Sequence, residues 1–269
     1  CYTRHTIEAI RMLKDCCFKV DIHLMPDLPG STPEKDKAML QRMLDDHELQ
    51  VDDWKIYPCQ TVDYSEILNW FNTTMTDFKE FLLNEGVDFD DVSVTNDVLE
   101  EYYQDFINQA DSKKKKHYYV PYTHDFKKTD DGESSNIQKL FDACKYVKRQ
   151  MRPWIRINRL VRDIPTNVYV RAGLKMANAG QIIDKELAEK EGIICKNIRA
   201  HEVGRNEIAD NVYEVIRVYE GSHGIDYFIS IEDTEENIYT IVDENEYKIY
   251  GFIRLRLSYT PGAGFMLCL

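Results

Sequence analysis

Apolar residues first recur at helical spacing. Ile7, Ile10, Leu13 and Cys17 lie three and four residues apart, which predicts a helix over 5–17. The run 19–25 alternates and predicts a short strand. The loop after it holds Pro26, Pro29 and Pro33, with Thr32 placed as an N-cap and Pro33 at the first helical position. The next helix extends to about 47, with Met39, Leu40, Met43 and Leu44 on one face. Trp54-Lys55-Ile56-Tyr57 reads as a second strand, stopped by Pro58. Helix, strand, helix, strand with single crossovers is the pattern of parallel βα units.

From residue 61 the texture changes. Acidic helical stretches at 64–85 and 96–110 lead to Lys113-Lys114-Lys115-Lys116, then to Tyr118, Tyr119 and Tyr122, then to a polar loop at 127–135. This reads as an insertion over about 63–135. A helix at 136–150 precedes a strand-like run from Pro153 to Pro165. A further helix is predicted at 178–191, and a strand with a turn at 193–203. Beyond about 211 the chain alternates and is β-branched. Strand candidates at 212–218, 227–231, 238–242 and 247–257, with turns at 221–224 and 243–246, form an antiparallel meander. The expected organisation is an incomplete parallel unit over 1–165, a linker region over 166–206, and a second unit from 207 to 269.

The 269 residues carry a formal net charge of −13, which by itself argues against a nucleic-acid partner. Its distribution argues the other way. Residues 63–111 hold thirteen acids and one base, whereas 145–175 hold nine bases and one acid. A phosphate backbone feels local charge, within a Debye length of about 10 Å. No run of 18 apolar residues is present, so no membrane partner is expected. The chain does not start with methionine, and it reads as part of something longer. Seven irregularly spaced cysteines without a CxxC pair suit reduced thiols in a cytoplasmic setting.

Several motifs occur in a distinctive order. His23-x-Met25-Pro26-Asp27-Leu28-Pro29 is followed by Lys55-Ile56-Tyr57-Pro58. Then come Pro153-Trp154-x-Arg156, Arg159-x-x-Arg162-Asp163-Ile164-Pro165, and Arg199-x-x-Glu202-Val203-Gly204. Over 3–62 and about 145–269 this resembles the family of Elongator catalytic subunits, which modify the wobble uridine of tRNA. The resemblance implies an α/β fold: the C-terminal part of a partial TIM-type radical SAM barrel, then the start of an antiparallel GNAT-like α+β acetyltransferase domain. It implies a 4Fe–4S cluster, S-adenosylmethionine and acetyl-CoA for the parent enzyme, with tRNA and other Elongator-type subunits as partners.

The chain also departs from that family. No three cysteines have the radical SAM spacing, so no cluster is expected here. Tyr259 stands where the acetyl-CoA loop needs Gln or Arg, so Gly262-Ala263-Gly264 reads as a plain turn. Cys195 has Asn197 and Ala200 where further zinc ligands would be, and no metal site is expected. No cofactor is expected to be fully bound, and the chain alone is expected to be inactive.

For the S-adenosylmethionine and substrate pocket, the candidates are His23, Pro26, Asp27, Lys55 and Tyr57. Competing readings make His23 a core histidine and Asp27 a cap on its own loop. Alternation puts Lys55 and Tyr57 on one sheet face and Trp54 and Ile56 on the other. Arg156, Arg159, Arg162, Lys175 and Arg199 are the tRNA-binding candidates, since guanidinium forks suit phosphate oxygens. The competing reading pairs them with the acidic stretch. Tyr118, Tyr119 and Tyr122 are the best base-stacking candidates. A non-catalytic RNA-binding or scaffold module, or a protein lysine acetyltransferase, are the alternative functions.

Overall fold

The computed structural model describes residues 2–127, 135–161, 166–204, 209–233, 247–261 and 265–268. It is a mixed α/β structure with a parallel three-stranded sheet, a two-stranded ladder and an antiparallel four-stranded sheet.

The first helix, α1 (Thr3–Asp15), buries Ile10 but leaves Leu13 43% exposed. Lys14 is buried in its place, for a reason given below. Strand β1 (Asp21–Leu24) leads through the proline loop to α2 (Pro33–Asp45). Thr32 Oγ1 accepts the Lys35 amide at 3.3 Å, so the predicted N-cap is present. Strand β2 (Asp53–Ile56) lies parallel to β1, pairing Ile22 with Trp54 and His23 with Lys55. After the short β3 (Thr61–Val62) come α3 (Glu66–Asn84), α4 (Asn96–Gln109), α5 (Ser112–Lys115) and α6 (Ser135–Gln150).

Strand β4 (Arg156–Leu160) then returns to pair in parallel with β2. The sheet order is β1-β2-β4, and α2, α6 and the later α8 (Ala179–Glu186) cover one face. Leu24, Trp54, Ile56, Ile157 and Leu160 point into that covered core. A short helix α7 (Thr166–Tyr169) precedes β5 (Val170–Ala172), which pairs antiparallel with β3.

The predicted strand at 193–203 is absent. A π turn (Leu187–Glu191) continues α8, and a short helix α9 (Ile198–His201) begins where Asn197 accepts the Arg199 amide at 3.1 Å. Asn197 favours a cap over an extended strand because its side chain competes for local backbone amides.

Strands β6 (Tyr213–Gly221), β7 (Gly224–Glu232), β8 (Ile249–Ser258) and β9 (Phe265–Cys268) make the antiparallel sheet. The predicted turn at 221–224 joins β6 to β7. The strand candidate at 238–242 and the turns at 243–246 and 262–264 lie outside the described residues.

The acidic stretch has a small core of its own. Phe78, Leu82, Leu99 and Phe106 are buried, and aromatic rings including Phe81, Tyr103, Tyr118 and Phe126 close around them. No helix among the described residues is long and apolar enough to cross a membrane.

Candidate nucleic-acid interface

The parallel sheet is two-faced. Trp54 and Ile56 are fully buried on the helix side. Lys55 and Tyr57 lie on the other face, as alternation requires. In-register pairing continues that face across all three strands: His23 beside Lys55, and Lys55 beside Arg159. A register shift between Trp54 and Lys55 absorbs Asn158 and keeps Arg159 on the open side. His23 is exposed and meets the Tyr57 ring edge-on, with centroids 5.6 Å apart. It is therefore not a core histidine bonded to backbone. Lys55 is paired with Asp21 across the strands.

Beyond the end of β4 the surface dips into a cleft of about 540 Å³. Arg159 and Arg199, forty positions apart in the chain, both line it, with Asn158, Asn178 and Gln181. Arg199 donates one bond from Nη1 to the Asn158 carbonyl at 2.9 Å, and a guanidinium has five N–H donors. Gly180 sits in the first turn of α8, where a Cβ would stand 3.2 Å from the Leu160 carbonyl. That close approach seats the helix start against the strand end.

The other basic candidates lie elsewhere. Arg156 is ion-paired with Glu202 of its own motif set. Lys175 is exposed on the loop after β5, and Arg162 is outside the described residues. The competing reading, neutralisation by the acidic stretch, describes Arg171, which Asp63 holds. Lys145, Lys148, Arg149 and Arg152 pair with Glu186, Asp184, Glu191 and Asp45. Sequence reasoning missed these partners because nothing local marks a contact across 36 or more residues.

Pro26 and Asp27 are buried beneath the proline loop. Asp27 has φ +65, a left-handed conformation that Asp tolerates better than most residues. Its carboxylate does not cap its own loop. It accepts the Tyr122 amide at 2.7 Å, the Thr123 hydroxyl at 2.5 Å and the Thr123 amide at 3.4 Å. Its own amide donates to Asp36 Oδ2 at 2.6 Å, and the Tyr122 hydroxyl donates to the same oxygen at 2.9 Å. The Tyr119 hydroxyl closes the set on the Asp27 carbonyl at 2.7 Å. Burial pushes the Asp27 carboxyl up to about 7, against the opposing pull of the Thr123 and Tyr122 bonds. Nearby, burial lowers the His124 imidazole to about 4, helped by the charge of Lys175.

The three tyrosines named as stacking candidates are engaged within the chain. Tyr119 is buried, Tyr122 is committed to Asp36, and the Tyr118 hydroxyl is bound to Asp77. The lysine run at 113–116 is an exposed helical turn capped by Asp111.

The antiparallel sheet is fixed to this unit by buried charge. Lys14 meets Asp226 at 2.8 Å and Asp52 at 3.9 Å. Arg256 meets Asp226 at 3.2 Å and Asp15 at 2.9 Å. Arg254 stands 3.3 Å from Asp52 and donates to the Trp154 carbonyl at 2.7 Å. Three cations and three carboxylates thus close on themselves, which is why α1 buries a lysine. Above them the rings of Trp154 and Tyr219 stack 4.3 Å apart and 5° from parallel.

No family model matches the chain. Individual proteins do match. The tRNA uridine(34) acetyltransferase of Methanocaldococcus jannaschii is 28% identical over 263 residues, which is 95% of this chain and 36% of that protein. The Elongator complex protein 3 of Schizosaccharomyces pombe is 23% identical over 261 residues, covering 94% of this chain and 36% of its own. The chain is thus similar to proteins named tRNA uridine(34) acetyltransferase and Elongator complex protein 3. A solved structure, the archaeal Methanocaldococcus infernus Elp3 with an N-terminal deletion (1-46), matches all of this chain with a TM-score of 0.63 and 25% identity, across 51% of that chain. The match spans the acidic stretch as well, which the motifs alone left unaccounted for. The chain spans little more than a third of the length of these curated relatives.

Among the described residues no three His, Cys, Asp or Glu side chains gather as a metal-binding group. The described residues therefore do not fit an iron–sulfur cluster, whose ligands are thiolates.

Proposed function

We propose that this chain is part of a tRNA uridine(34) acetyltransferase and that its own contribution is a surface for the RNA. In this reading the parallel sheet belongs to a partial radical SAM barrel, and β6–β9 open a GNAT-like acetyltransferase domain. Acetyl-CoA would serve the parent enzyme, as the names of the relatives imply. The chain alone is inactive on this reading. Cys16, Cys17, Cys59, Cys144 and Cys195 are free thiols, which supports a cytoplasmic setting.

The observation that carries the proposal is the convergence of Arg159 and Arg199 on one cleft, with Arg159 in register beside Lys55 on the open face of the sheet. Guanidinium forks bind phosphate oxygens in two-point contacts and set the register of an RNA without reading its sequence. The closed network around Lys14 and Asp226 holds the second sheet in fixed relation to this row. A substrate gripped at the cleft would thus lie at a fixed place relative to both units.

The test is tRNA binding by the chain, followed by fluorescence anisotropy at rising salt. Affinity should fall steeply between about 50 and 200 mM salt. Arg159→Ala and Arg199→Ala should each weaken binding and reduce the salt slope by about 1. Binding that ignores both substitutions would remove the cleft from the interface.

A further inference from the structure

The strand and the helix that carry the cleft's two arginines are joined by a second set of charges. On β4 the bulge at Asn158 puts Arg156 and Arg159 on one face, because their partners on β2 are Asp53 and Lys55. Arg199 and Glu202 lie three apart, in α9 and at its C-terminal cap, which sets them on one side of a helical turn. Two facing pairs result. Arg159 and Arg199 line the cleft, and Arg156 and Glu202 do not. These last two meet in a two-point ion pair, Nη1 on Oε1 and Nη2 3.4 Å from Oε2.

The helix between them is shared by the two units. Towards β4, the Ile198 amide donates to the Ile155 carbonyl at 3.0 Å. Towards the antiparallel sheet, Ile198 is buried with Tyr219, Phe228, Tyr247 and Ile249. The His201 ring stacks on Tyr247, 4.0 Å away and 2° from parallel, and its Nδ1 stands 2.9 Å from the Tyr247 carbonyl. The Val203 amide donates to the Ile249 carbonyl at 3.2 Å. Across the cleft, however, Arg159 and Arg199 set like charges against each other, which pushes α9 away from β4. The Arg156–Glu202 pair is an attraction between the same two elements that opposes this push.

We propose that Glu202 is a positioning residue for the RNA: through Arg156 it fixes Arg199 opposite Arg159, so that both guanidinium forks meet the phosphate strand together. Held donors bind a phosphate at less entropic cost than donors that must first be brought together. The inference rests on the RNA-binding reading above. Charge alone predicts the reverse effect. Removing a carboxylate near an RNA site, and releasing Arg156 from it, would tighten the grip on phosphate.

The experiment measures tRNA binding by the chain at about 0.1 M salt. Glu202→Ala should weaken binding about fivefold, most of one phosphate contact, and lower the salt slope by up to about 1. Glu202→Gln removes the same charge but keeps a neutral acceptor for Arg156, and should lose only about twofold. In the Arg156→Ala background, Glu202→Ala should change nothing further, because the residue it acts through is gone. Equal or tighter binding by Glu202→Ala, while Arg159→Ala and Arg199→Ala still weaken it, overturns the positioning role and leaves the cleft in place. So does a full loss from Glu202→Ala in the Arg156→Ala background. Wild-type binding that is absent, or that ignores both cleft substitutions, overturns the RNA-binding reading and the positioning role with it. Each variant should melt close to wild type, since a part-exposed ion pair contributes little stability.

Discussion

Two parts of the molecule are fastened to the parallel sheet, and each does so through a buried carboxylate. The antiparallel sheet uses Asp226, between Lys14 and Arg256. The acidic stretch uses Asp27, held by an amide and a hydroxyl, with Asp36 as its neighbour. The first carboxylate has full countercharges and the second has only neutral donors. A buried charge must be compensated, and these are two different ways to meet that need. Pairing makes the joint sensitive to the loss of any member. Neutral donors leave the carboxyl raised to about 7, so that joint responds to acidity.

The largest effect expected from this contrast is at the ionic joint. Asp226→Ala strands Lys14 and Arg256 without their shared partner and should cost about 3–5 kcal/mol in urea unfolding. A loss under about 1 kcal/mol would mean that water reaches the network and that the joint is not ionic in substance. Val218→Thr, on the open face of the same sheet, is the control and should stay within about 0.5 kcal/mol.

Acidity should separate the two joints next. Asp27 is protonated more readily in the folded chain than in the unfolded chain. Its contribution is fully present below about 4, the ordinary carboxylate value, and is lost as pH rises through about 7. His124 acts oppositely, because its imidazole is lowered to about 4 and stability is lost as pH falls through that range. The informative quantity is therefore a difference. Melting temperature of wild type minus that of Asp27→Asn should decline between pH 4 and 7. A flat difference would place the Asp27 carboxylate in contact with solvent or a cation.

Much of this architecture is written in short-range pattern. Alternation at 54–57 separates Trp54 and Ile56 from Lys55 and Tyr57 without saying which face is covered, and the Thr32-Pro33 pair marks the start of α2. The glycines at 221 and 224 placed the first hairpin. What escaped depends on residues far apart in sequence. The face of α1 was misread at Leu13 and Lys14, since only the distant Asp52 and Asp226 make burial of a lysine tolerable. The strands β3 and β5 are too short to leave a period, so their ladder was invisible. Arg156 looked like its neighbour Arg159 until the fold brought Glu202 beside it. Tyrosines beside the lysine run attracted attention by composition, whereas the fold engages them within the chain.

Trp54 pairs with Ile157, so the central strand must find its neighbour across a very long stretch of chain. The entropic penalty for closing a loop grows only with the logarithm of its length, but a structureless loop would still slow the search. The aromatic core around Phe78 and Phe106 changes that search. Tyr119 returns to α3 by donating its amide to Thr74 Oγ1 at 2.9 Å. Once that core has formed, the chain from α3 to Tyr119 is a body tied back on itself. For the strands that wait on either side of it, a loop of many residues then behaves kinetically as a short one.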